Sequence, residues 1–285
     1  MPPVKGPLLW LATVTLAAIV GPPLAAAFGV DPFAVDLLDR AAGPSAAHPL
    51  GTDELGRDLL VRLLEGGRVS LLVGIAAAIA AAAIGAAIGL IAGYLGGWTD
   101  RVLMRTTDAV IALPLLPLLV VLAALDLGKL GLPRTLVQSD EISLLRVTAL
   151  AILVGWTTSA RLMRGAALVA RNRDFVRAAR SLGAGVPHIL RRHILPEVMG
   201  PLVVATTLGI GDIILLESVL SFLGLGVQPP LASWGSMLSN AQELIAASPQ
   251  LAIYPGVMIF ATVIACNLLG DALLQRFDPR APVRG

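Results

Sequence analysis

Six apolar runs, each long enough to cross about 30 Å of hydrocarbon, divide this chain of 285 residues. They cover approximately residues 8–28, 69–95, 108–127, 144–163, 200–222 and 251–272. Because hydrocarbon offers no partner for backbone N–H and C=O groups, such runs cross a bilayer as helices. Hydrophobic residues make up 56 % of the chain and charged residues only 14 %, which excludes an ordinary soluble domain. The sequence predicts an all-α integral membrane protein with six transmembrane helices in contact with membrane lipid.

The basic residues predict the orientation of these helices. If the N-terminus is cytoplasmic, the inner segments 1–7, 96–107, 161–198 and 273–285 hold 14 of the 21 lysine and arginine residues. Cytoplasmic loops carry such an excess, so we expect both termini to be cytoplasmic. The net charge of +2 is small and the arginines are concentrated in a few loops. The sequence therefore predicts no nucleic-acid partner.

The N-terminal unit, residues 1–68, contains the first run and a long outer connection. Lys5, the apolar run and the small residues at 25–27 also fit a cleaved signal peptide. Because 8–28 is long for a signal core, we favour a retained helix. The amphipathic run 55–72 is expected to lie along the membrane surface. Residues 69–285 then form a core of five helices.

A charged segment, residues 171–196, interrupts the apolar runs. Four apolar residues follow the i, i+3, i+4, i+7 spacing of one helix face: Phe175, Ala178, Ala179 and Leu182. The residues between them predict an opposite, solvated face: Asp174, Arg177 and Arg180. Gly183 is expected to end this helix. An amphipathic helix between membrane spans is typical of a docking element that fits a partner's groove.

This segment resembles the EAA loop of permease subunits of ATP-binding cassette importers. The residues that match its pattern are Ala178, Ala179, Gly183, Ile194, Leu195 and Pro196, while Arg177 stands where the family has glutamate. The resemblance implies the type I importer permease fold, in which a cytoplasmic coupling helix lies within a loop, here 164–198. It also implies that residues from Asp174 to Gly183 contact a partner ATPase.

Two further stretches resemble one branch of that family, the dipeptide, oligopeptide and nickel permeases. The first is His48–Asp58, which we interpret as a hydrogen-bonded cap on the outer face, with direct solute contact as the alternative. A metal site at His48 is disfavoured because no second histidine or cysteine stands at ligand spacing.

The second stretch is 217–235, and shorter similarities follow at 267–273 and 278–280. The glycines and prolines of 224–230 predict the end of a helix, and Trp234 suits a membrane interface. We expect this outer loop to dock a solute-binding protein, with these candidate residues: Gln228, Pro229, Pro230 and Trp234.

Two acidic residues lie in the fifth apolar run, where ionisable groups usually face a cavity, a partner or water. Asp212 and Glu217 are candidates for lining the route of a solute that carries a positive amine. The alternative is that they hydrogen-bond to neighbouring helices and fix packing. The sequence leaves Asp212 open between the two, and it favours packing for Glu217, which lies closer to the interface.

The second run carries a small residue at every fourth position, which allows another helix to approach closely: Ala77, Ala81, Gly85, Gly89, Gly93 and Gly97. We expect the neighbour to belong to the same chain, with a partner permease as the alternative.

The lone Cys266 can form no intrachain disulfide and is expected to pack as a small hydrophobe.

The energy source is predicted to lie outside this chain, because no Gly-x-x-x-x-Gly-Lys-Ser/Thr loop occurs in it. The family resemblance implies a second related permease, two cytoplasmic ATPases that bind ATP and Mg²⁺, and an external solute-binding protein. It implies alternating access in the cytoplasmic membrane of a prokaryote, with no cofactor, metal or catalytic residue in this subunit. Relatives carry peptides, nickel chelates, glutathione or opines.

Two other functions remain as alternatives. A secondary transporter could couple solute to protons through Asp212, although no inverted repeat is evident. An intramembrane aspartyl protease would use the sequence Gly-Ile-Gly-Asp at 209–212 and a second aspartate. The upstream candidate, Asp108, follows Thr107 rather than the tyrosine that such proteases carry.

Overall fold

The computed structural model describes residues 4–125, 133 and 139–277, and the regular elements within them are helical. We number nine helices in chain order: α1 Lys5–Ala27, α2 Leu59–Leu95, α3 Gly97–Ala112, α4 Leu115–Ala124, α5 Asp140–Ala170, α6 Asp174–Ser181, α7 Val186–Phe222, α8 Trp234–Asn240 and α9 Gln250–Phe277. Helix α7 contains one π turn, Leu190–Ile194. The C-terminal similarity at 278–280 lies outside the described residues.

The helices α1, α2, α5, α7 and α9 are each long and apolar enough to span a membrane. A sixth span arises if α3 and α4 are taken together, but these two helices meet at an angle of 83°. The predicted span at 108–127 thus corresponds to the end of α3 and the whole of α4, with a bend between them. Pro114 has no backbone N–H to continue the helix and restricts the residue before it, so α3 ends at Ala112 and α4 begins at Leu115.

The predicted boundary at residue 68 falls inside α2, which runs unbroken for 37 residues from Leu59. Asp58 starts this helix because its side chain accepts a hydrogen bond from Val61 N at 3.0 Å. Leu59 and Leu63 are buried in the same cluster as Trp234. The run 55–72 therefore contributes the packed first part of α2 rather than a separate surface segment. At about 1.5 Å per residue, α2 is longer than the hydrocarbon is thick.

The most extensive contact between described helices joins α2 to α5 through the small-residue ridge. A Cβ atom on Gly85 would overlap the carbonyl oxygen of Trp156, and one on Gly89 would overlap that of Ala160. Gly93 meets α5 one turn further along. The prediction that this ridge packs within the same chain is confirmed for these positions.

Helix α9 packs against α7 and α1 on another side of the bundle. Gly211 of α7 faces Cys266, which is 2 % exposed. Trp10 Nε1 of α1 donates to Thr262 Oγ1 at 3.4 Å. Cys266 therefore packs as a small buried side chain, as expected.

Candidate functional site

The predicted coupling helix is α6, and it presents two different apolar faces. Phe175, Ala178 and Leu182 are exposed, with Leu182 at 88 %. Val176 and Ala179 are buried against the C-terminal ends of α2 and α5. The single face predicted from the sequence is therefore corrected: Ala179 belongs to the anchored side, and Val176, which the sequence analysis missed, lies beside it. Their i, i+3 spacing was the available signal.

The ends of α6 are fixed by specific contacts. Gly183 has φ +80°, a left-handed conformation that glycine adopts readily. The backbone N–H of the next residue, Ala184, donates a hydrogen bond to Ala179 O at 3.0 Å. This geometry ends the helix at the predicted glycine. The guanidinium of Arg180, predicted to be solvated, lies 5.4 Å from the centre of the Tyr94 ring on α2. These contacts attach α6 to the bundle and leave its other apolar face uncovered.

Arg177 occupies the position of the family's glutamate and makes little contact within the chain. Its Nη1 lies 3.9 Å from Asp174 Oδ1, and the two side chains are 69 % and 100 % exposed. An exposed pair at this distance contributes little to folding. The predicted coupling residues Asp174 and Arg177 thus lie free at the surface of α6.

Asp212 lies on the exposed face of α7, and no hydrogen bond or ion pair joins it to another described residue. Leu215 and Val219 continue the same face and are 43 % and 39 % exposed. A carboxyl group on the surface of a membrane helix requires water, a solute or a partner. The position of Asp212 thus fits a route or a subunit interface better than internal packing.

Unlike the exposed Asp212, Glu217 is fully buried, at the junction of α2, α7 and α8. It accepts hydrogen bonds from Ser70 Oγ at 3.0 Å and from Ser221 Oγ at 2.6 Å. Ser70 Oγ in turn accepts one from Trp234 N at 3.2 Å. The geometry supports the packing alternative for Glu217, because this carboxyl has no open surface through which a solute could reach it.

Trp234 is buried completely, so its side chain offers no docking surface in this structure. Its indole ring packs on Gly67, and Nε1 donates to Leu63 O at 3.0 Å. The expectation of an interfacial tryptophan in contact with a binding protein is therefore corrected to that of an internal anchor. The other three candidates, Gln228, Pro229 and Pro230, are exposed.

The outer signature 48–58 forms the hydrogen-bonded cap that the sequence predicts. His48 Nδ1 lies 2.9 Å from Asp58 Oδ2, and Arg57 Nε donates to Asp53 Oδ2 at 2.6 Å. Asp53, Arg57 and Asp58 are all buried. This signature therefore positions the start of α2 through buried polar contacts.

Arg62 joins this cap to the predicted docking loop. Its Nη1 donates to Pro230 O at 3.1 Å, and its Nε lies 3.7 Å from Asp53 Oδ2. Arg62 is 3 % exposed, so both contacts are shielded from water. Through the carbonyl group of Pro230, the exposed segment 228–230 is thus attached to the buried cap.

Glu54 is the titratable group of the cap whose environment opposes ionisation. Burial is the main cause, and the charge of neighbouring Asp53 adds to it, so the pKa of the Glu54 carboxyl is raised above its ordinary value. Arg57 Nη2 donates to Glu54 Oε1 at 2.7 Å, which offsets part of this increase. The cap therefore binds a proton at Glu54 more readily than the unfolded chain does.

Two aspartate–arginine pairs connect α3 to α5. Arg164 donates to both carboxylate oxygens of Asp100, at 2.5 and 2.7 Å. Arg161 Nη2 donates to Asp108 Oδ1 at 2.6 Å. The ion pair places Asp108 against an arginine, whereas an aspartyl protease requires an aspartate facing Asp212. Beside Arg161 lies a cavity of about 320 Å³ between the α3–α4 break and α5.

The sequence matches the family described as binding-protein-dependent transport system inner membrane component over residues 85–282. The chain belongs to this family. The matched region contains the coupling helix α6, Asp212 and the outer loop 224–230. The predicted family and all-helical fold class are confirmed, and the chain is an inner membrane permease component of an ATP-binding cassette importer.

Named relatives are similar over most of this permease. A Brucella suis protein provisionally named a peptide permease is 40 % identical over 275 residues, which cover 96 % of this chain and 86 % of the relative. The glutathione transport system permease GsiD of Pectobacterium atrosepticum is 41 % identical over 238 residues, covering 84 % and 74 %. The Escherichia coli GsiD has the same identity over the same length.

Family membership determines the general setting of the permease. It is a multi-pass inner membrane protein that works with an ATPase and a solute-binding protein. The family is one of transporter components.

Proposed function

We propose that this permease imports short peptides or a related small solute such as glutathione. The observation that carries the proposal is the similarity of about 40 % to peptide and glutathione permeases over most of the chain. The polar cap at 48–58 supports it, since that stretch resembles the same branch and forms a defined structure. The solute reaches the permease from a separate binding protein, to which the exposed residues Gln228, Pro229 and Pro230 are the proposed docking contacts.

The proposed assembly pairs this chain with a second related permease and two cytoplasmic ATPases, which bind ATP and Mg²⁺. The uncovered apolar face of α6, formed by Phe175, Ala178 and Leu182, is the proposed ATPase contact. Arg177 and Asp174 flank it with free charges. Since the basic inner loops belong on the cytoplasmic side, both termini are cytoplasmic in this arrangement.

The mechanism follows from how α6 is attached. ATP binding closes the ATPase pair and displaces α6, and Val176 and Ala179 transmit that displacement to α2 and α5. A bundle packed this closely moves as a rigid body. Its movement closes the pathway on one side of the membrane and opens it on the other. Asp212, exposed on α7, lines the route in this proposal. ATP hydrolysis belongs to the partners, because this chain has no phosphate-binding loop.

Purification of the tagged chain from its own membranes in mild detergent tests the assembly. Mass spectrometry is expected to find a second permease, ATPases with phosphate-binding loops and a solute-binding protein. The isolated complex in liposomes should then take up a radiolabelled tripeptide or glutathione only when ATP is enclosed. A chain that purifies without an ATPase, or uptake that follows a proton gradient instead of ATP, would contradict the proposal.

A further inference from the structure

The break between α3 and α4 exposes backbone where a membrane helix would ordinarily continue. Helix α3 ends at Ala112, and α4 begins at Leu115 without a side-chain cap on its first N–H groups. The intervening Pro114 supplies no donor. Irregular backbone is tolerated at membrane depth where it is buried in protein or lines a water-filled cavity. The break therefore requires either a covering partner or a wet cavity.

A cavity is present at this break, with a volume of about 320 Å³, at the lower end of the size range of small-molecule pockets. Its walls come from α3, the break, α4 and the middle of α5: Val110, Ile111, Leu113, Leu115, Leu118, Val154, Thr157, Thr158 and Arg161. Leu113 and Leu115 are 48 % and 39 % exposed, so the cavity is open on one side. We call it the α3–α5 groove.

Arg161 lines the groove and is paired with Asp108 of α3 beside it, and both charges remain accessible. Arg161 Nη2 donates to Asp108 Oδ1 at 2.6 Å, and the two side chains are 51 % and 56 % exposed. The neighbouring Arg164–Asp100 pair is different, because it has two hydrogen bonds and exposures of only 36 % and 17 %. Asp100 and Arg164 thus form the structural pair, while Arg161 uses one hydrogen bond and keeps its other N–H groups available.

We propose that the α3–α5 groove is a solute-binding site that recognises the charged ends of a short zwitterionic peptide. Arg161 binds the carboxylate, which it can contact through two parallel N–H groups, and Asp108 binds the ammonium group. The exposed hydroxyl of Thr158 and the apolar wall at Leu113–Leu118 face the remainder of the peptide. This inference rests on the proposed function, since it assigns a site to the same transported solute.

The exposure of the pair makes such an exchange feasible. A solvent-exposed ion pair contributes little to folding, so a ligand can separate Arg161 from Asp108 at small cost. When a zwitterion binds, its carboxylate takes the place of Asp108 beside Arg161, and its ammonium group takes the place of Arg161 beside Asp108. No charge is then left unpaired in the membrane. A solute lacking one charged end leaves one of the two side chains without a partner, and the groove discriminates against it.

Photolabelling locates the site directly in the assembled importer. The probe is a dipeptide with free termini and a diazirine side chain, delivered by the binding protein to the complex in liposomes. Labels are expected on α5 between Val154 and Arg161, or on the break between Val110 and Leu118. Excess unlabelled peptide should remove them. Labels confined to other helices of either permease would overturn the assignment.

The role of Arg161 is tested by comparing a tripeptide with its C-terminal amide. Uptake is measured at equal occupancy of the binding protein, so that its own selectivity is removed. Arg161→Gln is expected to lower uptake of the free acid at least about tenfold, since one charge-assisted hydrogen bond is worth about that factor and Arg161 supplies two, and to leave uptake of the amide unchanged. The control is Arg105→Gln, an exposed arginine of α3 outside the groove, which should keep the wild-type ratio.

A charge exchange separates a binding role from a purely structural one. In the double variant Arg161→Asp with Asp108→Arg the two charges still attract, so a structural pair would restore full uptake. For a peptide delivered in a fixed orientation, the groove instead predicts continued loss of uptake with normal ATPase activity, because the exchanged side chains would repel both peptide ends, and full recovery would overturn the inference. If wild-type complex transports no peptide at all, the proposed function itself fails, which is distinct from peptide transport that ignores Arg161.

Discussion

The indole Nε1 of Trp234 donates a hydrogen bond to the backbone carbonyl oxygen of Leu63 at 3.0 Å. This bond joins the short helix α8 to the first part of α2 across 171 residues of sequence. The ring fills the space left by Gly67, and the backbone N–H of Trp234 reaches Ser70, a partner of Glu217. A single residue thus joins α8 directly to α2 and, through Ser70 and Glu217, to α7.

Trp234→Ala is therefore expected to destabilise the junction of α2, α7 and α8. Removal of a fully buried tryptophan should cost about 3–5 kcal/mol, and the loss is measured as a lower thermal midpoint in detergent. Trp98→Ala is the matched control, because Trp98 is 73 % exposed. Equal midpoints for the two variants would show that Trp234 is not the anchor we describe.

The contact of α2 with α5 predicts a second effect on stability. Gly89→Ala places a methyl group against the carbonyl oxygen of Ala160, and such overpacking costs about 1–3 kcal/mol. Gly165→Ala on α5 meets no atom within 4 Å, so it should be neutral or stabilising by at most about 1 kcal/mol. Chemical unfolding of both variants checks the difference, and a stable Gly89→Ala variant would refute the close approach.

The two faces of α6 predict two different defects. Leu182→Glu adds a charge to a side chain that is 88 % exposed, so the chain should fold normally while binding less ATPase. Val176→Glu places a charge where the side chain is fully buried, and it should lower the amount of folded protein.

Co-purification of the ATPase and the thermal midpoint are the two measurements. Leu38→Glu provides the control for a new charge, since Leu38 is 95 % exposed in the outer connection. It should change neither quantity. ATPase binding by Leu182→Glu at the wild-type level would remove Leu182 from the coupling contact.

The raised pKa of Glu54 predicts how the outer cap responds to pH. The folded chain binds this proton more tightly than the unfolded chain, so the contribution of Glu54 to stability improves as pH falls through the raised folded pKa. Glu54→Gln stays neutral at every pH and keeps an acceptor for Arg57. Relative to wild type, its thermal midpoint should be higher at neutral pH, and the difference should shrink on acidification.

Asp53→Asn is the contrasting variant for the same cap. It removes the charge that pairs with Arg57 at 2.6 Å, so it should lower the midpoint at neutral pH. A Glu54→Gln midpoint that stays below that of wild type throughout the titration would show that ionised Glu54 stabilises the cap.

Local sequence was sufficient for features that depend on neighbouring residues. Gly183 ends α6 because its φ of +80° suits glycine. The ridge of small residues on α2 likewise indicated close packing, since a missing side chain is a property of one helix. These features required no knowledge of distant contacts.

Distant contacts, and one proline inside an apolar run, explain where the structure differs from the expectations. Trp234 suits a membrane interface by its chemistry, but the adjacent glycines of α2 that receive its ring lie far away in sequence. Hydropathy averages side-chain polarity along a run and does not report the direction of a helix. The residues on both sides of Pro114 are apolar, so the average gave no sign of the 83° bend. In α6, spacing alone could not separate the face that packs on Tyr94 and Ala170 from the one left free.

The interlocking of α2 with α5 also limits how this protein can change over evolutionary time. Gly85, Gly89 and Gly93 meet α5 at successive turns, so a single inserted or deleted codon before Gly89 would rotate the later glycines by about 100°. Larger side chains would then face the carbonyl oxygens of α5. A lineage of this permease can vary in length in its connections outside the cap, such as residues 29–35, but within these two helices it can change only by substitution.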